Sequence, residues 1–457
     1  MGYTSPLDNG KNMAATFKRK IYQELLAWKR DLAPRYALLV EGARRIGKST
    51  VVENFARREY DSYVLIDFST APREIRGLFA DVSDLDFIFM RIQLQYGVQL
   101  KKGKSLVIFD EVQFCPKARQ AIKALVKDGR FHYLETGSLI SIKRNVGDIL
   151  IPSEEKKVTM HPLDYEEFRW ALGDADSPAL LREVFLAGKG VGDAANRKLM
   201  RDFRLYMLVG GMPQAVEEYL RSGNLRRVDE VKRGIIGLYE DDFRKIDGTG
   251  VMSQLFDAIP AQLNSHASRF QVSSVVPARR AADVRRQLAE LKESHTVLMA
   301  YHANDPAAGL SAGLNPDKFK MFLGDTGLFV TLAFKDREFT ENVIYEKLLA
   351  DKLPANLGYL YENIVAQTLA AKGDRLAYYT FPNETTRHNY EVDFIVARQD
   401  KICPVEVKSS AYRAHASIDA FQRKFSGRIR QRYLVHPKDI RRDGDIICLP
   451  FYLVQFL

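Results

Sequence analysis

Apolar runs and their spacing divide the chain into distinct stretches. Leu38-Leu39-Val40 is a short apolar run closed by Glu41, followed by Tyr63-Val64-Leu65-Ile66-Asp67-Phe68, Leu106-Val107-Ile108-Phe109 and Phe131-His132-Tyr133-Leu134. Continuous runs of this length suit strands covered on both faces of a parallel sheet. Helical periodicity at 74–79 and 118–127 lies between them. Strands alternating with helices predict a doubly wound α/β sheet over residues 31–150. Residues 151–235 are helical in pattern and read as a lid. From Val251 the pattern changes. Helical signals at 253–263, 273–277 and 279–292 precede apolar runs at 296–301 and 318–323, separated by the polar turn Ala303-Asn304-Asp305-Pro306. Three short helices and a hairpin predict a winged helix-turn-helix. Further on, 389–396 and 402–408 alternate charged and apolar residues, the period of half-buried strands.

The first strand runs into Gly42-Ala43-Arg44-Arg45-Ile46-Gly47-Lys48-Ser49-Thr50. This is a complete G-x-x-x-x-G-K-S loop in the strand–loop–helix setting that phosphate binding requires. Glycines let successive backbone N–H groups turn inward on phosphate oxygens, and the following helix adds its positive dipole end. Lys48 would reach the β- and γ-phosphates of ATP, and Ser49 would give its hydroxyl to Mg²⁺. The strand 106–109 ends in Asp110-Glu111, which places Asp110 for the Mg²⁺ shell and Glu111 to orient or deprotonate water. Downstream, Leu134-Glu135-Thr136-Gly137-Ser138 ends a strand in two hydroxyls, and both Thr136 and Ser138 are candidates to sit beside the γ-phosphate.

Length divides the chain further. At 457 residues it exceeds one hydrophobic core. The expected organisation is a helical extension at 1–30, a P-loop core at 31–150, a helical lid at 151–235, a winged helix at 236–335 and a second α/β domain at 336–457. Composition is that of a globular protein, with 46% hydrophobic and 28% charged residues. No apolar run approaches the roughly 18 residues of a membrane span, and the N-terminus has no apolar signal core. A cytoplasmic protein without membrane association is expected. Cys115, Cys403 and Cys448 lie far apart and read as buried thiols. The net charge of +10 is compatible with a nucleic-acid partner and equally with a protein one.

The second cluster with chemistry is Asn389-Tyr390-Glu391-Val392-Asp393-Phe394, then Pro404-Val405-Glu406-Val407-Lys408. A turn at Gln399-Asp400 sets Arg398 opposite Lys401, Asp393 opposite Glu406 and Lys408 opposite Glu391, with Val392, Phe394, Val405 and Val407 on the other face. Two carboxylates directly opposite, with Cβ atoms about 5 Å apart, suit a shared Mg²⁺ or Mn²⁺ held by Asp393 and Glu406. Lys408 could then orient water or stabilise a transition state. Ordinary exposed sheets also carry acid–lysine pairs, so cleavage and non-cleaving readings both stay open.

Taken in order, the stretch 42–50, Phe109-Asp110-Glu111-Val112-Gln113, Thr136-Gly137-Ser138, His161-Pro162-Leu163-Asp164-Tyr165-Glu166-Glu167-Phe168 and Tyr206-Met207-Leu208-Val209-Gly210-Gly211-Met212-Pro213 resembles bacterial and archaeal AAA-type ATPases with a nuclease-like C-terminal domain. The resemblance implies a winged helix through 320–328, containing Gly324-Asp325-Thr326-Gly327-Leu328. The D…E-x-K pattern resembles restriction-endonuclease-like PD-(D/E)xK nucleases, whose first helix supplies another acid; Glu362 fits that role here. One departure stands out. Such ATPases carry a Gly-Arg pair before the Pro-Leu motif, where this chain reads Ser153-Glu154-Glu155-Lys156-Lys157. Arg45, Arg144 and Lys156 are the candidates to replace that arginine.

The reading is an Mg²⁺-dependent ATPase controlling a winged-helix and nuclease-like module that acts on DNA. Its alternative is an ATP-driven switch whose C-terminal domain binds DNA or protein without cleaving. The winged helix could dock a protein, with Arg279, Arg280, Arg285, Arg286 and Lys292 either facing phosphates or simply solvated. A homo-oligomer and a chaperone-like or signalling ATPase stay open.

Overall fold

The computed structural model describes residues 16–137, 150–265, 267–307, 309–335, 342–350, 358–384, 388–410 and 414–457. Its first sheet holds β1 (Ala37–Glu41), β2 (Ser62–Asp67), β3 (Ser105–Asp110), β4 (His132–Gly137) and β5 (Glu155–Thr159), in the order β2-β3-β4-β1-β5. All four pairings are parallel. The apolar runs are covered on both faces, as a crossover sheet requires. On β3, Leu106 and Ile108 enter one core, while Val107 and Phe109 enter the other. The expected boundary at 150/151 is corrected by β5, which follows it and completes the ATPase sheet along β1. Its Glu-Lys-Lys-Val-Thr sequence has too little apolar pattern to announce a strand beforehand.

The second sheet is mixed and eight-stranded, in the order β12-β13-β11-β10-β9-β8-β6-β7. It comprises β6 (Val297–Ala303), β7 (Leu314–Leu323), β8 (Ala377–Pro382), β9 (Asn389–Arg398), β10 (Lys401–Val407), β11 (Arg432–His436), β12 (Arg441–Asp443) and β13 (Ile446–Pro450). The hairpin expected as a wing is β6–β7, but β6 also pairs in parallel with β8. The boundary at 335/336 therefore cuts through one sheet. The helices before the hairpin are Val251–Asp257, Ile259–Asn264, the single turn Val272–Val275 and Arg285–Glu293. Arg279 and Arg280 precede the last of these helices rather than lying on it.

Four motifs from distant parts of the chain interlock between the two sheets. Gly210 and Gly327 touch backbone to backbone, and a Cβ on Gly327 would lie 2.5 Å from Gly210 Cα. Gly211 N–H donates to Asp325 Oδ2 at 2.6 Å, while Asp325 Oδ1 caps the helix Thr326–Ala333 by accepting from Leu328 N–H at 2.9 Å. Leu163 N–H donates to Gly211 O at 2.7 Å, and Tyr206 Oη donates to Leu163 O at 2.8 Å. From the helix Gly358–Ala371, Gln367 accepts from Thr326 N–H at 2.7 Å and donates to Tyr206 Oη at 3.0 Å. Asn363 on the same helix exchanges hydrogen bonds with the Leu323 backbone. Lys232, fully buried, donates to Leu208 O and Gly327 O.

Candidate functional site

The loop after β1 folds over the N-terminus of the helix Lys48–Glu59, with Gly47 at φ 89°, a left-handed conformation that glycine adopts without strain. A cavity of about 420 Å³ opens there, lined by Arg44, Arg45, Gly47, Lys48, Ser49, Thr50 and Glu111 from the sequence-predicted set. Ala43 and Ile46 instead point into the core. Lys48 Nζ donates to Gly42 O at 3.0 Å and Ala43 O at 2.8 Å. Burial pulls its pKa down to about 8, against the opposing pull of Glu111 and Asp110.

Ser49 Oγ donates to Asp110 Oδ1 at 2.8 Å, and Thr136 Oγ1 donates to the same oxygen. Thr136 Oγ1 also accepts from Glu111 N–H at 3.3 Å, so one hydroxyl ties both acids to β4. Ser138 and Arg144 lie outside the described residues. Burial raises the Asp110 pKa, which the two hydroxyl donors oppose. A buried carboxylate beside a serine hydroxyl is an all-oxygen donor pair suited to Mg²⁺. Glu111 has φ 52°, unusual for a residue other than glycine, and its carboxylate accepts from Gln113 Nε2.

Several lining residues have no motif of their own. Phe17 and Arg19 come from the chain before the first helix, and Pro213, Gln214 and Glu217 from the helix Pro213–Ser222. Arg19 is 6% exposed and donates to Ile46 O in the loop at 3.0 Å and to His161 O. The Lys18-Arg19-Lys20 run is the only trace of this in the sequence. Arg44 is committed to Asp242 at 2.9 Å, and Tyr239 Oη donates to Arg44 O. Of the candidates for the missing arginine, Arg45 faces the cavity, whereas Lys156 lies over the Tyr36 ring at 4.6 Å.

In the second sheet, the β9–β10 register runs as expected from Arg398↔Lys401 to Phe394↔Val405. Glu362, Asp393, Glu406 and Lys408 are close enough for their charges to act on one another. Two details differ. A bulge places one extra residue of β9 between the Ala377↔Ile395 and Tyr379↔Val392 pairs. Val392 consequently packs with Ile395, Phe381 and Phe421, while Phe394, Val405 and Val407 enter the main core, so the four apolar residues do not share a face. Lys408 also pairs with Glu406 at 2.8 Å rather than with Glu391. Glu391 is taken by Lys320 of β7, whose ammonium also lies 3.9 Å from Glu362 Oε2.

The Lys320 stem crosses β6 where its register partner is only Ala300. Burial would lower its pKa, but Glu391, Glu362 and Asp393 hold it raised. Asp393 Oδ2 accepts from Val407 N–H at 2.7 Å; burial and then Glu362 hold its pKa well above the usual carboxylate range. Glu406 is 2% exposed, and its Oε2 has no hydrogen-bond partner. Among the described residues, no set of three or more His, Cys, Asp or Glu side chains is arranged to hold a metal ion. Two lysine ammoniums, those of Lys320 and Lys408, stand beside these acids.

The other predicted basic surfaces are largely engaged. Arg285 pairs with Asp317 at 3.1 Å and Arg286 with Glu290 at 3.0 Å, while Lys292 lies over the Tyr301 ring at 5.0 Å. No helix among the described residues is long and apolar enough to cross a membrane.

Residues 34–169 match a family described as AAA domain. Residues 200–338 match a Domain of unknown function (DUF8612), and residues 357–453 match another (DUF4143). No curated protein matches the chain. Among solved structures, Cdc6p from Pyrobaculum aerophilum aligns at 12% identity over 76% of this chain and 98% of its own, with a TM-score of 0.26. The S. cerevisiae Hsp104–ADP complex aligns at 12% identity over 79% of this chain and 45% of its own, with a TM-score of 0.25. Superpositions this loose carry no argument. The AAA match covers the parallel sheet, the phosphate loop and the acid pair, and residues 34–169 of this chain are an AAA-type P-loop ATPase domain.

Proposed function

We propose that this chain is an ATP-driven switch in which ATP bound at residues 42–50 controls the C-terminal sheet as its effector. The observation that carries it is the convergence of Lys48, Ser49, Asp110, Glu111 and Thr136 at one end of the parallel sheet. Lys48 would exchange its loop carbonyls for the β- and γ-phosphates, and Ser49 and Asp110 would hold Mg²⁺. A Mg²⁺ held there would supply positive charge against the charge that develops during phosphoryl transfer. Glu111 orients and deprotonates the attacking water, and Thr136 keeps both acids in register with β4. Arg45 is the arginine best placed to meet the γ-phosphate.

Glu111→Gln tests the assignment. ATP binding is retained and turnover falls by about 10²–10⁴, the usual worth of a positioned base. Turnover equal to wild type removes Glu111 from this role.

The interlocked motifs support the route to the effector. Pro213 lines the nucleotide cavity, Gly210 and Gly211 are held by Asp325 and Gly327, and Thr326 meets Asn363 and Gln367 on the helix that carries Glu362. For the C-terminal cluster, Lys320 among the acids favours binding without cleavage. Metal-dependent cleavage by Glu362, Asp393, Glu406 and Lys408 is the second reading, supported by their proximity. Cleavage of DNA in Mg²⁺ or Mn²⁺ that disappears in Asp393→Ala would establish the second reading over the first.

A further inference from the structure

Arg269, Arg279 and Arg280 are distant in the pattern of elements, yet they line one cavity of about 380 Å³ beside β7. Two contacts build its floor. Phe270 N–H donates to Phe319 O at 2.7 Å, and the Phe270 ring stacks on Phe319 at 6.1 Å. The turn back to Arg279 passes through Ala278 at φ 61°, and Arg280 N–H is fixed by Asp283 Oδ2 at 2.7 Å. All three arginines are exposed. The one acid in the cavity, Asp317, is engaged by Arg285.

The charge continues inward along β7. Lys318 donates to Thr380 Oγ1 at 2.7 Å, and burial together with the Arg269 guanidinium holds its pKa below the usual range. Two residues on along β7, Lys320 reaches Glu391 and Glu362. Three guanidiniums around one cavity, against a single lining carboxylate that Arg285 already engages, favour an anion that spans them. Three planar guanidiniums around a cavity match phosphate oxygens, and Lys318 beside Arg269 extends the positive charge, which matches a repeating polyanion better than a single anion.

We propose that the Arg269–Arg279–Arg280 cavity, with Lys318 beside it, binds backbone phosphates of a nucleic-acid strand. This rests on the reading of the C-terminal sheet as the effector.

The test uses the full chain and fluorescence anisotropy with labelled single and double strands of DNA and RNA across a salt titration. Replacing all three arginines by alanine is expected to reduce the slope of log affinity against log salt by about two to three. At about 0.15 M salt, binding weakens on the order of a hundredfold. Replacing all three by lysine retains the slope, and a fluorescent ATP analogue binds both variants as it binds wild type. No oligonucleotide binding by wild type, or an unchanged slope in the alanine variant, overturns the assignment. Inorganic phosphate that displaces the strand without a change in ionic strength assigns the cavity to a free phosphate compound instead. Polyglutamate bound as tightly, through the same arginines, assigns it to an acidic protein. Arginine-dependent binding that leaves ATP turnover untouched sinks the switch but keeps the cavity assignment. Oligonucleotide-stimulated turnover that survives the triple alanine change sinks only the cavity.

Discussion

Asp325→Asn removes one charge from the centre of the molecule without changing its shape. The carboxylate is 2% exposed and uses one oxygen for Gly211 N–H and the other for Leu328 N–H. An asparagine keeps one oxygen and turns an NH₂ toward the second N–H, leaving a buried donor facing a donor. An unsatisfied buried N–H costs about 1–3 kcal/mol. The remaining bond loses its charge assistance, roughly another 1 kcal/mol. Burial, which raises the Asp325 pKa, already opposes the charge, so the relief on neutralising it offsets part of the loss. With that offset the net local destabilisation is about 1–3 kcal/mol.

Hydrogen exchange reads this locally, without the two-state assumption that a multidomain chain violates. Peptides spanning residues 206–213 and 324–328 are expected to exchange about five- to one-hundred-and-fiftyfold faster in the variant, while β10 and β11 keep their protection. ATP still binds, because no lining residue of the nucleotide cavity is altered, but its effect on protection of the helix Gly358–Ala371 is lost. Protection at Gly211 and Leu328 within a factor of three of wild type would refute the account of Asp325 as the carboxylate that holds both segments.

Two further outcomes follow from the buried charges. Lys48 has a pKa of about 8 before nucleotide binds, and phosphates raise it, so binding takes up a proton above that pH. ATP affinity measured by titration calorimetry therefore falls as pH rises through 8, approaching roughly tenfold per pH unit, and a flat profile from pH 7 to 9 contradicts it. Lys320→Met leaves Glu391, Glu362 and Asp393 without their ammonium, costing about 3–5 kcal/mol, because one half of a buried pair is removed. Added Mg²⁺ or Mn²⁺ should raise the melting temperature of this variant and not of wild type; equal response in both removes Lys320 as the built-in cation.

The nucleotide site was largely legible before the fold. The spacing of Gly42, Gly47, Lys48 and Ser49 is dictated by backbone geometry around phosphate, and the run Leu106–Phe109 ends at Asp110 because a parallel strand delivers its C-terminal acids to the ligand edge. These are local constraints, carried by a few consecutive residues. Arg19 and Pro213 were not legible, because their roles arise only when the chain before the first helix and the lid helix return to the loop.

The β9–β10 register followed from alternation and a short turn, yet the bulge in β9 depends on how β8 pairs on the other side. Sequence by itself thus determined strand and helix periods, the phosphate loop, the acid pair and the β9–β10 register as far as Phe394 and Val405. Tertiary structure alone decided that β5 and the β6–β7 hairpin belong to sheets on either side of expected boundaries. It also decided that Lys320 stands among the acids and that Arg269 joins Arg279 and Arg280. The reason is physical: periodicity encodes which face a residue shows, whereas long-range packing selects what that face meets.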